Sequence, residues 1–217
     1  MKDAFPRAII FDWDNTLIDN WVSIAAALND TFDKFGHEAW TIDEIRKRCA
    51  RPSLEVFPEW FGGDWRSAYE FFYNRFGEIH ADGLHALPGA DTLLRWLQEQ
   101  NVPVFVISSK RGDYLRKQVT TLGWDGLFSA TVGSQDAPRD KPARESVEFA
   151  LKAKKMSPDA DIWFVGDGAL DMQCAQNSGC TPVFLGATEE AARLYVARAF
   201  TNCHDLRAYL YNQTQGR

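Results

Sequence analysis

The sequence predicts an α/β protein: a doubly wound parallel sheet with a small all-helical segment inserted after its first strand. Three observations carry this reading. Uninterrupted apolar runs alternate with helix-like stretches over most of the chain, the pattern of a parallel sheet covered by helices on both faces. The three strongest runs each stop at an abrupt polar cluster. Ala8-Ile9-Ile10-Phe11 stops at Asp12-Trp13-Asp14-Asn15-Thr16, residues 102–107 at Ser108-Ser109-Lys110, and residues 162–165 at Gly166-Asp167-Gly168. Between residues 18 and 87 only helical periodicity is left.

Each element follows from a local signal. The apolar run at residues 8–11 suits a strand buried on both faces. In the inserted segment Trp21, Ile24, Leu28, Phe32 and Phe35 recur at helical spacing and stop at Gly36, a residue suited to the left-handed position just past a helix. Thr41-Ile42-Asp43-Glu44 fits a capping box that opens a second helix. Trp65, Ala68, Phe72, Phe76 and Ile79 form a further apolar stripe, read as core packing. Pro88-Gly89 marks the return to the strand–helix pattern. Helices are expected over residues 90–98, 114–122 and 144–154, with weaker strands at 130–133 and 182–185. Residues 1–17 with 88–217 are therefore expected to form the sheet domain, and residues 18–87 the helical one.

Composition sets outer limits. With 217 residues, 45% hydrophobic and 25% charged, the chain buries roughly 70% of its unfolded surface and needs no disulfide or metal to hold a core. A formal net charge of −6 argues against a nucleic-acid partner. It leaves room for a small anionic ligand, because local cations and a metal reverse the field inside a cleft. Cys49, Cys174, Cys180 and Cys203 are scattered with no C-x-x-C pair and read as reduced, partly buried thiols. No segment reaches the ~18 uninterrupted apolar residues of a membrane span, and no signal-peptide pattern precedes the first strand. The expectation is a cytoplasmic protein without a membrane partner.

The chemistry concentrates at the carboxyl ends of the expected strands, where open α/β sheets bind ligands. Asp12 and Asp14 flank one residue there, and their oxygens suit a hard cation; an Asx-type turn is the other reading of the same pair. Asp167 lies between two glycines that let a group approach the backbone closely. Asp171 opens the next helix, where it equally suits an N-cap. Four aspartates at one sheet edge repel one another unless a cation relieves them, and an all-oxygen set without His or Cys points to Mg²⁺. Ser108 and Lys141 offer a hydroxyl and an ammonium suited to phosphate oxygens; a strand-end cap and a solvated loop lysine are their ordinary readings. His37, His80, His85 and His204 fall in no motif.

In order along the chain, these clusters resemble the haloacid dehalogenase-like superfamily. Phe11-Asp12-Trp13-Asp14-Asn15-Thr16-Leu17 is similar to its first motif, Ser108 to its second, Lys141 to its third, and Asp167 with Asp171 to its fourth. The segment from Asp171 to Gly179 resembles the helix after that fourth motif, and the likeness covers nearly the whole chain. Asn15 departs from the pattern, since many members carry glycine there.

The resemblance implies a Rossmann-like core with a helical cap, and a role for each motif residue. Asp12 is the implied nucleophile, forming an aspartyl-phosphate, and Asp14 the general acid and then base. Ser108 and Lys141 are the implied binders of the transferring phosphoryl group. The Asp12 carboxylate, the Asp14 backbone carbonyl, Asp167 and Asp171 are the implied holders of Mg²⁺. Asp14 favours phosphoryl transfer, because the dehalogenase branch lacks this second aspartate. The helical insertion resembles the cap of phosphoglycolate phosphatase-like and β-phosphoglucomutase-like members. Arg51, in the loop Cys49-Ala50-Arg51-Pro52-Ser53-Leu54, is a candidate to bind a carboxylate or hydroxyl of the leaving group, and Ser109 and Lys110 after the second motif are candidates to bind substrate. The implied function is a Mg²⁺-dependent phosphatase acting on a small phosphorylated metabolite. A phosphomutase and a non-catalytic binding member of the fold are the alternatives.

Overall fold

A computed structural model describes residues 5–49, 53–80, 84–186 and 195–215. The chain divides into two compact units, one of Met1–Asp19 with His85–Arg217 and one of Asn20–Leu84. The division leaves the short antiparallel ribbon of β2 (Ile18–Asp19) and β3 (His85–Ala86) in the first unit.

The first unit holds a six-stranded sheet. Its strands are β1 (Ala8–Phe11), β4 (Val104–Arg111), β5 (Ala130–Ser134), β6 (Ile162–Gly166), β7 (Thr181–Leu185) and β8 (Arg198–Phe200). The order is β5-β4-β1-β6-β7-β8, with every neighbouring pair parallel. The chain runs outward from β1 through β4 and β5, then returns to β6 on the other side of β1. That reversal is the switch point of a doubly wound sheet, and the cleft beyond the strand ends opens there.

Burial explains the apolar runs. All four residues of β1 and all five of β6 are buried. Ala8, Ile10, Ile162, Phe164, Phe105 and Ile107 pack on one face against Val147, Ala150 and Leu151 of α7 (Arg144–Leu151) and Cys174 and Ala175 of α8 (Ala169–Ser178). The alternate residues Ile9, Phe11, Val104 and Val106 are also buried and point to the opposite face. Helix α5 (Ala90–Glu99) packs against β4, and the last helix, Cys203–Gln215, packs against α5.

Four strands differ from expectation, and two of them, β2 and β3, lie at the ends of the 18–87 stretch where only helices are expected, because two-residue strands leave no period of their own. β4 continues through the polar cluster to Arg111, with an irregular register against β5 between Ile107 and Arg111. β8 is a three-residue edge strand, too short to leave a period-two signal.

The second unit contains α1 (Trp21–Lys34), α2 (Ile42–Arg48), α3 (Ser53–Phe61) and α4 (Trp65–Ile79). Gly36 takes φ 76° just past α1, as expected of a left-handed terminator. Thr41 and Glu44 form the capping box in full. Phe32, Phe57, Phe61, Phe72 and Phe76 build the core, with Phe32 and Phe61 stacked at 5.3 Å. Among the described residues no helix is long and apolar enough to cross a membrane.

Candidate active site

The site is built on the loop that leaves β1. The Asp12 backbone N–H donates to Val165 at 2.8 Å, continuing the β1–β6 ladder into the polar cluster. The next residues turn sharply: the N–H groups of Leu17 and Ile18 both donate to the Trp13 carbonyl, at 3.0 and 3.2 Å. This turn keeps Asp12 buried, 7% exposed, and leaves the Asp14 side chain more open at 26%.

Two lysines meet these aspartates. Lys141 Nζ donates to Asp12 Oδ1 at 2.5 Å and to Asp171 Oδ1 at 2.7 Å, with its side chain 3% exposed. The loop carrying Lys141 is held by the Asp140 carboxylate, which accepts from the Gln135 N–H, and by Asn177, which donates to the Pro142 carbonyl. Lys110 Nζ donates to Asp14 Oδ1 at 2.6 Å and to Gln118 Oε1 at 2.7 Å. Ser108 and Lys110 alternate with Ser109 and Arg111 along β4, so the first two are buried and the second two exposed. The Ser108 hydroxyl accepts the Lys110 N–H at 3.1 Å.

Asp167 and Asp171 arrive from the β6 side. Asp171 is not the N-cap of α8. It is the third helical residue, and its Oδ2 accepts the Gly168 N–H at 3.1 Å. Gly166 is needed for this approach, since a Cβ there would lie 2.4 Å from the Asp171 Cβ and Cγ. Gly166→Ala is therefore expected to push α8 off the strand end and cost about 1–3 kcal/mol. Thermal unfolding should show Tm lowered by roughly 2–12 °C; an unchanged Tm would mean that the helix start shifts freely.

One ligand oxygen from each of Asp12, Asp167 and Asp171 falls within 4.8 Å of the others. Burial pushes the Asp167 carboxyl up to about 8, helped by the Asp12 and Asp171 charges. Burial likewise raises Asp171 to about 6, with Asp12 adding to it and Lys141 opposing it. Burial also holds Asp14 above the usual carboxylate range, against the nearby Lys110 charge. Burial disfavours the Lys141 ammonium, but Asp12 and Asp171 overcome it and hold the group above the ordinary lysine range. With all four carboxylates ionised, the two ammonium groups leave a formal surplus of two negative charges, which the raised Asp14, Asp167 and Asp171 carboxyls resist. A divalent cation with oxygen ligands fits this donor set. The thiols do not compete as nucleophiles, because burial pushes Cys174 and Cys180 up to about 11.

A family model for haloacid dehalogenase-like hydrolases matches residues 9–185. The chain belongs to this family. A phosphoglycolate phosphatase of Rhodobacter capsulatus is 28% identical over 182 residues, covering 79% of this chain and 80% of that protein. Among solved structures, a haloacid dehalogenase-superfamily hydrolase from Ehrlichia chaffeensis superimposes with TM-score 0.70 at 28% identity, covering 96% of this chain and 98% of its own. A subfamily IA hydrolase of the same superfamily from Geobacter sulfurreducens shares the fold, with TM-score 0.77 at 19% identity over 97% of this chain and 100% of its own.

In this haloacid dehalogenase-like hydrolase the Asn15 departure has a backbone reason. Asn15 sits at φ 61°, a left-handed conformation that glycine adopts freely and asparagine tolerates better than most residues. Asp12, Asp14, Lys110, Lys141, Asp167 and Asp171 gather at the strand ends, while Ser109 is exposed. Arg51 lies outside the described residues. Two contributors escaped the sequence reading. The Thr16 hydroxyl lies 3.2 Å from Asp167 Oδ1 and 3.4 Å from Asp12 Oδ2, bridging the two strand ends. Gln118 is fully buried on α6 (Gly112–Thr121) between Leu115 and Val119; a polar residue at a core-facing helical position is the signal that marks it.

Proposed function

We propose that this chain is a Mg²⁺-dependent phosphatase of small phosphate monoesters that works through an aspartyl-phosphate on Asp12. The observation that carries the proposal is the pairing of two buried ammonium groups with separate aspartates of the β1 loop, Lys141 on Asp12 and Lys110 on Asp14. Lys141 orients the Asp12 carboxylate for attack, and Lys110 orients the Asp14 carboxyl, whose burial, against the Lys110 charge, favours the protonated form a proton carrier needs.

An Asp12 oxygen attacks phosphorus, and the bond from phosphorus to the leaving oxygen breaks. Asp14, held above the usual carboxylate range, delivers its proton to that oxygen and later takes one from the attacking water. Water then displaces the Asp12 carboxylate and releases inorganic phosphate. Lys141 and Ser108 serve the phosphoryl oxygens; both are nearly excluded from solvent, where fixed charge acts most strongly. Asp12, Asp167, Asp171 and the Asp14 carbonyl would hold Mg²⁺. When bound, this ion offsets the carboxylate surplus and draws negative charge off the phosphoryl group. Ser109, exposed beside Ser108, and Lys110 are the described candidates for contact with the substrate. Likeness to phosphoglycolate phosphatases supports a small phosphorylated metabolite as that substrate.

The test is phosphate release from a panel of small esters, phosphoglycolate and sugar phosphates among them, with Mg²⁺ or with chelator. Release that requires the metal is expected. An isomerised sugar phosphate without free phosphate would indicate a phosphomutase instead. No turnover of any ester by folded, Mg²⁺-loaded protein would overturn the reading.

A further inference from the structure

We propose that Gln118 is a positioning residue for phosphoryl transfer: by anchoring the Lys110 ammonium, it fixes the direction in which the Asp14 carboxyl faces the leaving group. The inference rests on the phosphatase reading above and goes beyond the motif residues.

A fully buried glutamine is costly unless its amide is bonded. Gln118 Oε1 accepts from Trp13 Nε1 at 2.7 Å and from Lys110 Nζ at 2.7 Å. Both neighbours are donors, so the oxygen, with its two lone pairs, must face them. This settles which way the amide points. The Trp13 indole is itself immobilised, 5.8 Å from the Trp124 ring and 6.1 Å from Phe128 in edge-on contacts. A rigid path therefore runs from the aromatic core through Trp13 and Gln118 to the ammonium on Asp14.

The path matters because a lysine stem is flexible and its ammonium has no preferred direction of its own. Asp14 alone would not determine where Lys110 sits, since both side chains can swing together. A second acceptor, attached to a helix and locked by an indole, removes that freedom. If the role were only to satisfy the Trp13 N–H, the acceptor would have no need to meet the ammonium facing Asp14.

The prediction is a loss that depends on the leaving group. A proton donor matters most for a poor leaving group, so kcat/KM is compared on an alkyl ester that wild type cleaves and on p-nitrophenyl phosphate. Gln118→Met keeps the length and removes the amide oxygen. It is expected to lower kcat/KM on the alkyl ester about 10-fold more than on the aryl ester, a part of the roughly 10²–10⁴-fold that acid–base catalysis contributes. Gln118→Glu restores an oxygen to both donors and is expected to recover most of the difference. Should Gln118→Met not fold, Trp13→Phe removes the N–H that orients the amide and is expected to show the same leaving-group dependence. Equal losses on both esters, with wild type active, would overturn the inference and leave the phosphatase reading standing. An inactive wild type would overturn both.

Discussion

Replacing Asp12 with asparagine is expected to lower phosphate release by at least about 10³-fold while leaving the fold intact. The amide has nearly the shape of the carboxylate, and its oxygen can still accept from Lys141, which lies 2.5 Å from Asp12 Oδ1. It cannot form the acyl-phosphate bond, because the amide oxygen is a poor nucleophile at neutral pH. The fold should tolerate the change. Asp12 is one of the charges that push Asp167 and Asp171 upward, so neutralising it relieves repulsion at the strand ends. Phosphate assays beside circular dichroism and thermal unfolding decide the matter. Activity within about tenfold of wild type, in a folded variant, would place the nucleophile elsewhere.

Replacing Lys141 with methionine is expected to cost about 3–5 kcal/mol of stability as well as activity. The Lys141, Asp12 and Asp171 side chains are 3%, 9% and 5% exposed, so two carboxylates would be left buried without their cation. Such a loss is larger than the net worth of the intact ion pairs, because desolvation of the stranded charges is no longer offset. In a chain of this length it corresponds to a fall in Tm of roughly 6–20 °C. Adding Asp171→Asn removes one stranded charge and should restore part of the loss, so the two substitutions should couple in a double-mutant cycle. A Tm within about 2 °C of wild type would show that Lys141 is not the structural counter-ion of these aspartates.

Much of the fold was legible because its signals are local. The run at residues 8–11 is apolar on every residue because both faces of β1 are covered. Gly36 ends α1 and the Thr41–Glu44 box opens α2 through hydrogen bonds made within a few residues. β8 was missed because an edge strand of three residues is specified by its neighbour β7, not by its own pattern. The role of Asp171 also needed the structure. A residue near a helix start can serve as N-cap or sit one turn in, and only the position of Gly168 distinguishes the two.

From the amino-acid sequence alone one reads that acidic and basic groups end the strands of a parallel sheet, and in which order. That follows from strand periodicity and chain topology, which bring carboxyl ends to one edge whatever the side chains then do. Which groups become partners is set by the packing of the folded chain. Lys110 meets Asp14 across 96 positions and Lys141 meets Asp12 across 129, while Gln118 reaches Trp13 across 105. These contacts depend on the angle at which each helix and loop packs on the sheet, and no periodicity within a segment encodes that angle.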